Sequence, residues 1–176
     1  MADDGTDAIV ERAVRTATED LGVPFAAVFT RESDTGALVP AARETTGREN
    51  APEPDLPTVS GGDGPVWAAF ADLGEPLDAP RNEPYQERDS WLDESFDDWL
   101  VCPLGRHGVF VVAATDGSLS GTERDIARTW AANTRQALER TASDRDLRER
   151  DRALKRQNDR LSRLDRVNRL IRSIVP

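Results

Sequence analysis

Cysteine is almost missing from this chain. Cys102 stands alone, so no disulfide framework closes within it. Histidine is equally scarce: a histidine-ligated haem, a zinc site or a Ser-His-Asp triad would have to be built on His107. That residue lies in Gly105-Arg-His-Gly108, which reads as a tight, solvent-facing turn. Lysine is reduced to Lys155. No apolar run approaches the roughly 20 residues of a membrane helix. The longest, Val109 to Ala114, has the length of a buried strand. The opening residues MADDGTD are polar and acidic, unlike a secretory signal. A cytoplasmic protein without a membrane partner is therefore expected.

What is abundant is acid and arginine. The 33 acidic and 23 basic residues give a net charge of −10. This Arg-over-Lys, Ala- and Asp-rich composition looks like that of proteins from salt-loving, GC-rich organisms. In molar salt the screening length falls to about 3 Å. The excess acid is then read as a solvated surface rather than as a site for a basic partner. The charge is also divided along the chain. Residues 1–143 hold twenty-seven acidic and twelve basic residues, whereas Asp144 to Pro176 hold six and eleven. Glycine and proline are absent from Thr122 to Val175. The expectation is a globular unit over 1–142 and a charged coiled-coil helix over 143–176.

Within the globular part, Ile9, Ala13, Val14, Ala17 and Leu21 recur at helical spacing. Thr6 or Asp7 can cap that helix, and Gly22 and Pro24 end it. Phe25 to Phe29 and Ala37 to Arg43 flank the turn Glu32–Gly36 and predict a hairpin. A loop follows, with a short edge strand at Leu56–Ser60. Gly61 to Pro65 leads into a helix capped by Asp63, with Val66, Trp67, Phe70 and Leu73 on its apolar face. Glu75–Ala79 reads as a brief strand, and Pro80–Asp98 as a loop with a short helix. Trp99–Leu104 and Val109–Ala114 form a second hairpin. Thr122, with Asp125 three residues on, starts the final helix. Hairpins imply an antiparallel sheet.

Three segments together resemble the GAF domain. They are WLVCPLGRHGVFVVAA (99–114), SGTERDIA (120–127) and GPVWAAFADLGEPL (64–77). The resemblance covers about residues 6–142. It implies an α+β fold of PAS-like architecture, with a central antiparallel sheet, flanking helices and, in this chain, a long C-terminal helix. The PAS class itself is the second choice. A narrower resemblance joins LSRLDRVNRLIRSI (161–174) to the linker of haloarchaeal bacterio-opsin-activator-like transcription regulators. It implies that an output domain follows Pro176, so direct nucleic-acid contact is not expected from this segment.

Candidate sites follow from the same residues. In GAF domains the pocket lies between the sheet and the middle segment. Trp67, Phe70, Tyr85, Trp91, Phe96 and Trp99 are therefore the residues expected to line a small-molecule pocket, or else to fill the core. Cys102 reads as a small buried hydrophobe. Gly61-Gly-Asp-Gly64 lacks the Lys-Ser/Thr pair of a phosphate loop and reads as a turn. Asn82-Glu83 and Phe96-Asp97-Asp98 do not match the cyclic-nucleotide signature of the family. Asp93, Glu94, Asp97 and Asp98 lack a calcium-loop spacing and read as solvated surface. No metal is expected, no cofactor is named, and no catalytic group stands out. The chain is expected not to be an enzyme; a reductase on a GAF-like fold would need more than one reactive cysteine.

The tail carries the clearest pattern. Leu147, Leu154 and Leu161 are spaced by seven, with Ile126 in phase and Leu164 and Ile171 on the adjoining position. Arg150, Gln157 and Asn168 interrupt the seam. Asp144/Arg148, Asp146/Arg150 and Asp159/Arg163 are expected i,i+4 pairs. A parallel homodimer is expected through the first and last helices, with Ile126, Trp130 and the five seam residues at its interface.

Overall fold

The computed structural model describes residues 4–20, 22–46, 54–61, 64–73, 75–79, 90–115 and 117–174. The chain forms two compact units, Met1–Leu138 and Glu139–Pro176.

In the first unit, α1 (Asp4–Glu19) starts slightly before the expected caps. It ends as the sequence predicts: the Val23 amide donates to the Ala17 carbonyl across Gly22, whose φ of 71° suits a glycine after a helix. The strands β1 (Phe25–Arg31) and β2 (Leu38–Thr45) pair antiparallel. A bulge opposite Val28/Phe29 places Pro40 on the edge strand β2, where its missing N–H costs little. The expected strand at Leu56–Ser60 does not form. Only Val59 bridges to Leu38, because β2 turns its outer edge toward that segment for a single pair.

Next come one helical turn, α2 (Pro65–Trp67), and a π-helical segment, Ala68–Leu73. The residue capping α2 is Gly64, which makes no side-chain cap; Asp63 lies outside the described residues. Then β3 (Leu77–Asp78), α3 (Ser90–Ser95), β4 (Asp98–Pro103), a 3₁₀ turn at Gly105–His107 and β5 (Gly108–Ala114) complete an antiparallel sheet of order β2-β1-β5-β4-β3. The last helix, α4, runs unbroken from Gly121 to Ile174. Its capping box is Ser120 with Glu123 (amide to Ser120 Oγ 3.2 Å, Ser120 amide to Glu123 Oε2 2.6 Å), not Thr122 with Asp125. Glutamate reaches back to the cap amide where aspartate is one methylene short.

Strand alternation gives the sheet two apolar faces. Ala26, Val28, Leu100, Cys102, Phe110 and Val112 pack against Val10, Val14 and Ala17 of α1 and Ala127, Ala131 and Leu138 of α4. The α4 contacts, with Arg124 and Thr134, recur at steps of three and four, so one stripe of the helix faces the sheet. On the opposite face Phe25, Phe29, Val101 and Val111 meet Val66, Ala69, Leu92 and Phe96. Across that face Ala113 sits between Phe25 and Trp99, and its small side chain leaves room for both rings.

In the second unit α4 continues alone. Leu147, Leu154, Leu161, Leu164 and Ile171 are 54–65% exposed. The expected pairs Asp144/Arg148, Asp146/Arg150 and Asp159/Arg163 are not formed. Arg145–Glu149, Asp151–Lys155 and Asp165–Arg169 pair instead. Exposed pairs of this kind are worth well under about 1 kcal/mol, so neighbouring choices compete closely.

Candidate functional site

Of the six aromatics expected at one pocket, the five described ones gather on one face of the sheet, Phe96 and Trp99 inside its core cluster and Trp67, Phe70 and Trp91 packed against it. Trp99 and Phe96 are buried, and Phe25 stacks on Phe96 with ring centroids 4.7 Å apart. Trp99 Nε1 donates to Asp93 Oδ1 at 3.0 Å, so this ring is fixed as core. Trp91 lies beside Phe29 (5.8 Å) and Phe96 (6.4 Å). Its indole N–H is buried without a hydrogen-bond partner among the described residues. Tyr85 lies outside the described residues.

Trp67 and Phe70 instead line an open cleft of about 560 Å³, with Arg31, Thr35, Ser60 and Arg106 around it. The two rings meet edge to face at 5.6 Å. Gly108 accounts for the cleft's shape. Its φ is 144°, and a Cβ there would lie 1.9 Å from the Phe29 carbonyl oxygen. Only glycine lets the β4–β5 turn close onto the end of β1. That closure sets the turn carrying Arg106 against the strand that ends in Arg31.

A second constellation lies at the root of α4 and escaped the sequence reading. Asp98 was expected on the solvated surface, but it is buried at the start of β4. Its carboxylate accepts from Arg124 Nη2 at 2.5 and 2.7 Å and from the Leu119 amide at 2.8 Å. Arg124 also donates to Asp78 of β3, which in turn pairs with Arg128 at 2.8 Å. Burial alone would lower the Arg124 pKa, but the hydrogen bonds and charges of Asp98 and Asp78 outweigh it and hold the pKa above the ordinary value. The remaining acids of the cluster do local work: Asp97 accepts from the Gly117 amide, and Glu94 is exposed. No group of three metal-binding side chains occurs among the described residues.

Cys102 sits on β4 in the core facing α1 and α4. Burial pushes its thiol up to about 12, against a smaller lowering by Arg128 and a further rise from Asp78. A thiol so placed is not a nucleophile at neutral pH. His107 ends the 3₁₀ turn and is half-buried.

Of the expected interface residues in the first unit, Ile126 is 38% exposed. Trp130 is half-buried and donates from Nε1 to the Ala13 carbonyl of α1 at 3.1 Å. Between α1 and α4 an apolar groove of about 320 Å³ runs past Ile9, Ala13, Trp130 and Ala137.

No protein-family model matches the sequence, and no characterised protein matches it at the sequence level. Solved structures do match. The blue-light absorbing form of the PixJ GAF domain from Thermosynechococcus elongatus is 14% identical over 81% of this chain and 89% of that one, with a TM-score of 0.61. The GAF-B domain of DevS from Mycobacterium smegmatis is 16% identical over 81% and 98%, with a TM-score of 0.61. The type II free methionine-R-sulfoxide reductase from Thermoplasma acidophilum is 12% identical over 77% and 93%, with a TM-score of 0.56. At such identities the shared property is the fold, and the chain has the GAF fold.

Proposed function

We propose that this GAF-fold chain is a sensory module of a signalling protein, which binds a small molecule beside Trp67 and Phe70 and works as a parallel dimer. The observation that carries the reading is the seam on α4. The helix that closes the sheet continues without a break past Leu138, and Leu147, Leu154, Leu161, Leu164 and Ile171 remain exposed along it. A helix of that length holding exposed leucines at heptad spacing fits a second copy of itself. Within the first unit, a largely apolar groove beside Trp130 lies between α1 and α4. Arg150, Gln157 and Asn168 weaken the seam, which suits a helix that shifts between two packings.

Two finer readings attach to this one. The likeness of residues 161–174 to the haloarchaeal activators makes transcription the output we favour, carried by a domain beyond this segment. Catalysis is not part of the proposal. One structural neighbour is a reductase, but the only thiol of this chain is buried and protonated.

Light scattering in molar salt tests the dimer. A mass twice 19.4 kDa is expected, falling to the monomer in Leu154→Glu/Leu161→Glu. A strict monomer at high concentration would overturn it. A ligand-free dimerisation domain is the second reading, favoured by Phe96 and Trp99 filling the space under α3. It predicts that no metabolite raises the melting temperature, since a ligand bound only to the folded state must stabilise it.

A further inference from the structure

We infer that the Trp67–Phe70 cleft takes a planar organic anion, with its ring against Trp67 and its carboxylate or phosphate held by Arg31 and Arg106. The inference rests on the ligand-binding part of the reading above and gives that ligand a chemical class.

Residues 1–143 carry twenty-seven acids against twelve bases, yet the described lining of this cleft holds two arginines and no carboxylate. Neither guanidinium forms an ion pair with a described residue. Arg12, Arg15 and Arg135 of the same unit also form no ion pair with a described residue, whereas Arg124 and Arg128 are tied to aspartates; what sets Arg31 and Arg106 apart is that both line one cleft. On a surface this acidic, two guanidiniums without an ion-pair partner among the described residues favour negative groups from solution. Guanidinium forks match carboxylate and phosphate oxygens in geometry as well as charge.

A volume of about 560 Å³ suits a molecule of one or two rings and is far larger than an inorganic anion needs. Trp67 is held in place for stacking. A Cβ on Gly61 would lie 3.4 Å from Trp67 Cζ2, so the indole rests on the Gly61 backbone, with Phe70 at its edge. The wall bearing Phe70 and Ala71 is the π-helical segment, a distortion that proteins use sparingly and often at binding sites. Ser60 adds a hydroxyl to the rim, while the Thr35 hydroxyl is taken up by the Glu32 carboxylate behind it (2.7 Å) and the Ala37 amide (3.1 Å). The arrangement is an aromatic platform with cations beside it.

Calorimetry and thermal melting on the full chain, at fixed salt, test the inference with indole-3-acetate, its neutral amide and acetate as probes. Indole-3-acetate should bind and raise the melting temperature. The amide and acetate should each bind at least about tenfold more weakly, as loss of one charge-assisted contact or of the ring contact implies. Arg31→Gln/Arg106→Gln should melt like the parent without ligand and should lose the preference for acid over amide. Trp67→Ala should lose affinity for both ring compounds. Equal binding of acid and amide, or unchanged acid binding by the double variant, overturns the anion assignment and leaves the ligand-binding reading standing. Absence of binding by all three probes overturns the assignment, while dimerisation is decided separately by light scattering.

Discussion

Removing the Asp98 carboxylate should cost this domain a large part of its stability. Asp98 and Arg124 have side chains only 10% and 11% exposed, and Asp98 also accepts the amide of Leu119, itself 3% exposed. Replacing Asp98 with alanine strands a buried guanidinium and a buried N–H together. Breaking one side of a buried pair costs about 3–5 kcal/mol, and an orphaned buried donor costs about 1–3 kcal/mol. Asp78 stays beside Arg124 and offsets part of the loss. The net expectation for Asp98→Ala is about 3–5 kcal/mol, a large share of a typical domain stability of about 5–15 kcal/mol. In thermal melting that is a drop on the order of 10 °C.

Two companions make the reasoning testable if Asp98→Ala does not fold. Asp98→Asn keeps an acceptor for Leu119 and should be milder. Asp98→Ala/Arg124→Met removes both charges and should recover stability relative to Asp98→Ala, because a buried pair replaced by apolar groups is close to neutral. Asp78→Ala should cost under about 1 kcal/mol, since that side chain is 43% exposed. Urea unfolding in molar salt reads all four. A loss below about 1 kcal/mol in Asp98→Ala, or a double variant weaker than the single one, would refute the account.

Two further outcomes follow from the packing. Burial pushes the pKa of the Cys102 thiol up to about 12 from its ordinary 9.0. Because the folded value is the raised one, its contribution is full below pH 9.0 and is lost as pH climbs toward 12. Near pH 10 the loss is about 1.4 kcal/mol, and Cys102→Ala should flatten the stability–pH slope between about pH 8 and 10; an unchanged slope would place the thiol in solvent. Gly108→Ala would set a Cβ 1.9 Å from the Phe29 carbonyl at a φ of 144°. Combined strain and overpacking should cost about 3 kcal/mol in urea unfolding, and near-wild-type stability would mean that the β4–β5 turn does not close onto β1.

The sheet was legible because its strands announce themselves. Phe25–Phe29 and Val109–Ala114 are short apolar runs bounded by glycine turns, and both hairpins formed where those turns predict. Leu56–Ser60 failed as a strand because its pairing depends on an edge that sequence does not show, and only Val59 found a partner. The start of α4 was expected at Thr122 with Asp125, whereas the box that forms is Ser120 with Glu123. Side-chain reach, one methylene longer in glutamate, decides between them. The π-helical segment at Ala68–Leu73 has no periodicity in the sequence that separates it from an α-helix.

The site was harder for reasons of distance and of strand phase. Asp98 stands in the run Asp-Glu-Ser-Phe-Asp-Asp, where an acid looks solvated, but β4 begins at that residue, and the pleat puts it on the face of Leu100 and Cys102. Its partner is 26 residues away, and nothing local names it. One signal was available from the other side. Arg124 occupies the first turn of a helix, where the macrodipole disfavours a cation by a few tenths of a kcal/mol or more. An arginine there is out of place unless something nearby holds its charge. Arg31 and Arg106 gave no such sign, because an arginine at a strand end or in a turn is ordinary. Their meaning comes only from the turns that bring them to one cleft, and Gly108 is the residue that makes the closure sterically allowed.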